Sequence, residues 1–534
     1  MKDAIFGFSG FVGSYLTRYY KFDYLYNSKN ITDAKNKEFD TIFISCIPAI
    51  KWLANKYPDK DKESIANIKK ILETIQAKKV ILISTIDVYD MLNTKSNEDE
   101  IINYNNNNSY GKNRYLFEEF VRTKFSNVYI IRLPALFGRG LKKNILYDLL
   151  NNNDVNNINI NTSFQWYNLE WLHDDIENCL QNNIILCNLF TEPLHTKDIV
   201  SLFPEYTLNN DKHICFYYDV TTKYYKYFHN GLNGYIRNKK IVFDDIAKYV
   251  EKIKKEKECK IKLCVSNISN YNLCNEQYYN ILNHYNINYI EIAPTKFNNW
   301  EQLINSNILK NEKEKMSNFN LELYSFQSIT YQITDNIFQV EDNTTLLNHL
   351  KKVIDLAIDN NVKNLVFGCP RNRLRNILTD DNYDKADDIF ITFFRNLGNY
   401  IDKSDLIISI ENNSKMYNCN YLNTINDVGN IVQKINHDNI KMMVDIGNCI
   451  MEDDIIDNLI HYKNLINHVH ISMPFMKQFI NYNKNEYIQF INLLKKINYD
   501  KIISLEFLNN DCKNDNDELY LLNKSLSSFI ELFI

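Results

Sequence analysis

From about residue 260 onward, a short apolar run followed by a helix-length segment recurs eight times. The runs are 261–266, 289–293, 321–327, 364–368, 406–411, 441–445, 468–471 and 502–506, with segments such as 345–360 and 387–401 between them. Apolar runs of this length fit strands buried on both faces, and a helical crossover joins each parallel strand to the next. Eight such units in about 270 residues are what a closed (β/α)8 barrel, the TIM barrel, requires. No other feature limits the fold as tightly, because eight repeats arise by chance far less readily than any single motif.

In such barrels the chemistry sits where the strands end. The fifth to eighth runs are neighbours, and each ends in a side chain able to bind a metal: Glu411, Asp445, His470 and Glu506. The two-residue strand period puts His468 and His470 on one face, with His470 nearer the mouth. Three carboxylates converging there would repel, and burying each ion costs several kcal/mol. A divalent cation removes both penalties. Two Glu, one Asp and one His suit Mn²⁺, Mg²⁺ or Co²⁺ better than structural Zn²⁺. Taken singly, each residue has a plainer explanation, a salt-bridged rim carboxylate or a core histidine; four adjacent strand ends of this kind do not. Arg371 and Arg373 follow the fourth run, either to grip a substrate phosphate or carboxylate or to stand in a solvated loop. Glu291 and Gln327, at the ends of the second and third runs, are expected as substrate contacts.

The first part of the chain also alternates. Strands are expected at 4–8, 24–26, 41–46, 80–84 and 128–133, and helices at 12–20, 60–77 and from Tyr110. This pattern implies an α/β domain, a Rossmann-type, doubly wound parallel sheet. Residues 151–203 are expected to form a smaller substrate-side lobe. A charged stretch without Gly or Pro follows. The organisation read from this is a nucleotide-cofactor domain over 1–243, a charged helical linker over 244–259 with a solvated face, and the barrel over 260–534.

Gly7, Gly10 and Gly13 stand between the first strand and the first helix. Gly7 permits a tight turn, Gly10 lets the backbone approach a pyrophosphate, and Gly13 allows helix to pack on strand; the helix N-terminus adds N–H donors. An NAD or NADP cofactor is expected. No acidic residue follows the second strand to hold a ribose 2′-hydroxyl, whereas Ser28 and Lys29 suit a 2′-phosphate, which favours NADP.

Residues 1–205 resemble the extended short-chain dehydrogenase/reductases, the nucleotide-sugar epimerases, dehydratases and reductases. The glycine turn, Ser84-Thr85-Ile86-Asp87-Val88-Tyr89, Ser109-Tyr110-Gly111 and Arg132-Leu133-Pro134-Ala135-Leu136-Phe137-Gly138 carry the likeness. It implies that Tyr110 is the acid/base at the carbon undergoing hydride transfer, with Thr85 beside it. The family has a Lys four residues after the Tyr, which lowers its pKa and holds the cofactor ribose. This chain has Arg114 there, on the face of Tyr110, and Lys112 off it. A planar guanidinium is not an ammonium group, so redox competence is an open expectation.

Residues 260–534 resemble the xylose-isomerase-like barrels, the sugar-phosphate isomerases and ketose 3-epimerases together with the endonuclease IV nucleases. The matching stretches are Tyr289-Ile-Glu-Ile-Ala-Pro294, Phe326-Gln327-Ser328, the segment from Leu365 to Arg373, Ile410-Glu411-Asn412-Asn413, Val444-Asp445-Ile-Gly-Asn448 and His468-Val-His470-Ile-Ser472. The resemblance implies that Glu411, Asp445, His470 and Glu506 bind one metal. It also implies that the two Glu move the proton beside a carbonyl through an enediolate. Two departures loosen the substrate assignment. Asn448 stands where the ketose epimerases commonly have His, and is expected as a substrate contact. Met473 and Pro474 stand near a Glu-x-Asn-Arg motif that is not reproduced.

The remaining exclusions come from composition. A formal charge of −5, with Lys and Arg spread along 534 residues, gives neither a nucleic-acid stripe nor a membrane patch. The 11 cysteines include no CxxC pair, and Cys46, Cys264 and Cys369 fall in apolar runs. A reducing compartment is expected rather than a disulfide framework. No cationic leader and no run of about 18 apolar residues are read, so a soluble cytoplasmic chain is expected. The function read from the sequence is a bifunctional carbohydrate enzyme for a sugar, sugar phosphate or nucleotide sugar, in a setting such as polysaccharide biosynthesis; a homo-oligomer is compatible with it. Its rivals are a barrel acting alone beside a non-catalytic cofactor or partner module, an endonuclease IV-like nuclease, and a scaffold.

Overall fold

The computed structural model describes residues 2–90, 92–208, 215–258, 261–339, 343–375, 383–401, 404–510 and 512–533. It divides into two compact units, Met1–Lys257 and Glu258–Ile534.

The first unit is built on a parallel sheet of β1 (Ala4–Phe6), β2 (Tyr24–Tyr26), β3 (Glu38–Ile44), β4 (Gln76–Thr85), β5 (Val128–Leu133) and β6 (Leu186–Asn188). Their spatial order is β2-β1-β3-β4-β5-β6. Alternate residues Phe6, Ile42, Ile44, Val80 and Leu82 form one core with Ile65 of helix Pro58–Leu72 and Phe117 and Val121 of helix Ser109–Lys124. The intervening Ile5, Phe43, Ile81 and Ile131 are buried on the other face, where Phe43 meets the Tyr20 ring. Burial on both faces is why these strands read as near-continuous apolar runs. The order differs from the common dinucleotide order 3-2-1-4-5-6. Beyond β2 the chain makes a short 3-10 turn, Ile31–Ala34, instead of an outer strand. Strand order reverses between β1 and β3, and doubly wound sheets bind ligands at such a point, beyond the strand ends.

The charged stretch falls in the helix Lys239–Glu258. Its apolar positions Val242, Ile246 and Val250, four residues apart, enter a second core with Phe137, Trp166 and Phe203. The stretch is the last packed helix of the first unit, and the division between units falls at its end. Residue 259 of the expected linker lies outside the described residues.

The second unit is a closed eight-stranded parallel barrel. Its strands are β7 (Lys262–Ser266), β8 (Tyr289–Ile292), β9 (Glu322–Phe326), β10 (Asn364–Phe367), β11 (Ile407–Glu411), β12 (Ile440–Asp445), β13 (Ile466–Ser472) and β14 (Ile502–Glu506). The seam closes where Cys264 stands opposite Ser504. The interior includes a buried polar knot. Asn364 donates to Ser325 (2.9 Å) and accepts from Ser409 (2.6 Å) and Asn467 (3.0 Å), which ties four strands together. Such satisfied networks fix register where apolar packing alone would tolerate a shift. Among the described residues every cysteine is a free thiol, and no helix is long and apolar enough to cross a membrane.

Candidate metal centre

The fifth to eighth barrel strands deliver residues at or near their ends to one place. Ladder register sets Asp445 of β12 opposite His470 of β13, and Ser472 of β13 opposite Glu506 of β14. One ligand atom from each of Glu411, Asp445, His470 and Glu506 lies within 4.8 Å of all the others, and all four residues are buried. His470 Nδ1 stands 3.2 Å from Glu506 Oε2, 3.6 Å from Glu411 Oε1 and 3.9 Å from Asp445 Oδ2.

The surroundings hold these groups in place. Both Asp445 oxygens accept from Ser472 Oγ at 2.8 Å, and Oδ1 also accepts the Asn448 backbone N–H at 2.6 Å, capping helix Ile446–Met451. Arg373 Nη1 donates to the Glu411 carbonyl at 2.8 Å. A side chain at Gly368 would collide with the Glu411 carboxylate, so glycine ends β10 for a spatial reason.

The electrostatics are those of a site short of positive charge. Burial, reinforced by the Glu411 and Glu506 charges, pushes the Asp445 carboxyl up to about 8. Burial also raises Glu506, against the pull of His470. Burial alone would lower His470, but the Glu291 and Glu506 carboxylates outweigh it and lift the imidazole well above its usual value. One imidazolium cannot neutralise three buried carboxylates. Convergent oxygens, one imidazole nitrogen and surplus negative charge are the donor set and the field that a divalent cation requires.

The other expected barrel residues separate. Arg371 is exposed, whereas Arg373 is fully buried. They sit two positions apart on the 3-10 turn Pro370–Arg373 and do not form one anion grip; Arg373 serves the strand end instead. Gln327 is buried and donates to Ser266 Oγ. Asn448 Oδ1 accepts the Ser414 N–H at 3.1 Å. Glu291, fully buried, faces both strand-seven histidines, with His468 Nε2 at 3.0 Å and His470 Nε2 at 2.9 Å. That pairing was absent from the sequence reading, although strand parity already set the two histidines on one face. The second missed group is Asn412, whose side chain accepts the Asp445 N–H at 3.0 Å and ties β11 to β12.

In the first unit the glycine turn follows β1. Gly7 has φ +98°, and a Cβ there would meet the Ser45 backbone at 2.7 Å. A Cβ on Gly13 would overlap the Gly7 carbonyl, whereas on Gly10 it meets nothing nearer than 3.3 Å. The fold therefore explains Gly7 and Gly13, while Gly10, at the N-terminus of helix Phe11–Tyr19, is less crowded than either. Backbone N–H groups at a helix N-terminus suit an anion. Ser28 and Lys29 are exposed beyond β2.

Tyr110 is buried on helix Ser109–Lys124 and hydrogen-bonds the Thr85 side chain. Burial first, then the Asp87 charge, pushes its hydroxyl up to about 12 despite the nearby cations Arg114 and Lys51. Both cations are committed. Arg114 is clamped by Asp61 at 2.5 and 2.8 Å, donates to the Pro48 carbonyl, and lies 3.9 Å over the Tyr110 ring. Lys51 Nζ binds Asp87 at 2.6 Å and the Tyr218 hydroxyl at 2.8 Å. Arg132 and Glu118 form a third buried pair, at 2.6 and 3.0 Å.

Residues 279–525 match the family described as xylose isomerase-like TIM barrel, a span that takes in β8 to β14 and all four converging side chains. Comparison with curated proteins gives no match. Among solved structures, similar chains include the apo form of 3-keto-D-glucoside 4-epimerase from E. coli, at 14% identity over 51% of this chain and 99% of that one, with TM-score 0.40. Another is D-allulose 3-epimerase from Methylomonas sp. with D-allulose, at 16% identity over 51% and 96%, with TM-score 0.41. A third is an AP endonuclease, family 2, from Brucella melitensis, at 12% identity over 48% and 95%, with TM-score 0.39.

Proposed function

We propose that the second unit is a divalent-metal-dependent isomerase or epimerase of a sugar or sugar phosphate, and that the first unit is an NAD(P)-type domain joined to it. The observation that carries this reading is the convergence of Glu411, Asp445, His470 and Glu506 at the strand ends of a closed barrel. Those four residues would hold the ion. When bound, a divalent cation supplies fixed positive charge against the negative charge that develops as a carbon beside a carbonyl loses its proton.

Glu411 and Glu506 stand on separate strands, β11 and β14. One carboxylate accepts the proton from a substrate carbon and the other returns it on the opposite side, as an epimerisation requires. Transfer to the adjacent carbon by a single carboxylate makes the same site an isomerase. Ser472 and the Asn448 N–H keep Asp445 in one orientation, and Arg373 anchors the end of β11. The test is deuterium uptake from solvent into a panel of ketoses and ketose phosphates. Uptake that needs the metal and is lost in Glu506→Gln supports the proposal, and no uptake into any of them by the metal-loaded chain overturns it.

For the first unit, the geometry favours a cofactor or partner module over a second catalyst. The guanidinium in the position of the family's Lys is spent on Asp61, and Tyr110 keeps its proton. NADPH binding without turnover of nucleotide sugars supports the module. Turnover abolished by Tyr110→Phe would establish two activities.

A further inference from the structure

We propose that Glu291 is the positioning residue of the metal-binding histidine: it accepts the Nε2–H of His470, fixes that tautomer, and leaves Nδ1 as the ligand nitrogen. The inference rests on the metal reading of the barrel mouth and extends it to a residue outside the four.

The two nitrogens of the His470 ring face different company. Nδ1 looks toward Glu506, Glu411 and Asp445, at 3.2 to 3.9 Å. Nε2 lies 2.9 Å from Glu291 Oε1, and Glu291 Oε2 lies 3.0 Å from His468 Nε2. Among the described residues, no straight hydrogen bond ends on a ring nitrogen of either histidine, so the short contacts to Glu291 are what each Nε2 has. All three side chains are inaccessible to solvent. Glu291 lies in β8, opposite Ser266 of β7, and reaches β13 through the barrel interior.

A buried carboxylate is costly unless protons are offered to it. Here two imidazoles on one face of one strand make that offer, and His468 supplies the second. A ligating histidine whose outer nitrogen donates to a carboxylate has a fixed ring plane and a more basic ligand nitrogen. The rival arrangement is a second ion held by Glu291, His468 and His470 Nε2, whose atoms also lie within 4.8 Å of one another. Contacts of 2.9 and 3.0 Å are hydrogen-bond separations, and the two arrangements differ in how many ions the chain binds.

The experiment titrates the full chain and its Glu291→Gln and Glu291→Asp variants with Co²⁺ and Zn²⁺, counting ions and measuring affinity. Nitrogen NMR of the ¹⁵N-histidine-labelled, Zn²⁺-loaded wild type reads the His470 tautomer. The expected results are one ion per chain, coordination at Nδ1 with a protonated Nε2, an affinity loss of about 10- to 100-fold in Glu291→Gln, and partial recovery in Glu291→Asp. Two ions per chain, coordination through Nε2, or unchanged affinity in a folded Glu291→Gln overturns the inference while leaving the metal site standing. A wild type that binds no ion overturns the metal reading itself.

Discussion

The barrel mouth and the Tyr110 site are both lined with buried charge, but they settle it in opposite ways. The two cations that act on Tyr110 each have a carboxylate: Arg114 has Asp61 and Lys51 has Asp87. At the barrel mouth three carboxylates share one imidazole. A locally neutral site needs no further ion to be stable, whereas a site with surplus negative charge is stable only when protons or a cation balance it. The contrast separates a region whose charge is unbalanced by its own side chains from one whose charges are paired.

The largest effect that tests this contrast is expected at Asp61. Asp61→Asn leaves Arg114 buried without a counter-charge and should destabilise the first unit by about 3–5 kcal/mol in denaturant unfolding. A loss under about 1 kcal/mol would mean that Asp61 is not the counter-charge that balances the buried Arg114.

Next in size is the coupling of metal to pH in the second unit. Asp445, with its pKa near 8, and the raised Glu506 and His470 bind protons more tightly folded than unfolded. Their combined contribution therefore favours the metal-free fold at low pH and is lost as pH rises through the folded values. Glu291, whose pKa is lowered by the two histidines against the effect of burial, acts in the opposite sense. The melting temperature of the metal-free barrel should fall between pH 6 and 8. Metal at about a hundredfold excess over its Kd should restore about 2.7 kcal/mol. Proton release on metal binding, seen by calorimetry in two buffers, should accompany this. Stability that rises with pH in the metal-free chain would contradict the surplus-charge account.

Smaller effects refine the glycine turn. Gly13→Ala drives a methyl into the Gly7 carbonyl and should cost about 1–3 kcal/mol. Gly10→Ala brings its methyl to 3.3 Å from the Gly7 carbonyl, a milder contact, and should cost less, under about 1 kcal/mol, while weakening NADPH binding. Unchanged NADPH binding in a folded Gly10→Ala would show that Gly10 has no ligand role.

The barrel was legible because its strands are short apolar runs separated by helix-length segments, and strand ends such as Asp445 and Glu506 keep their identity in any parallel register. What escaped the sequence is pairing across distance. Asp61 and Arg114 are joined by folding two helices together, and Glu291 meets His468 and His470 across the barrel interior, where no local period announces the contact. Arg371 and Arg373 looked equivalent because their sequence spacing does not say which one a tight turn buries. The charged stretch after residue 243 hid Ile246 and Val250 at helical spacing beneath its lysines, and these made it part of a core.

The central claim is that the barrel mouth is a cation site, and metal analysis of the purified full chain addresses it most directly. The wild type should carry about one divalent ion per chain. A folded Glu411→Gln, Asp445→Asn double variant should carry none. Equal metal content in the two proteins would contradict the account.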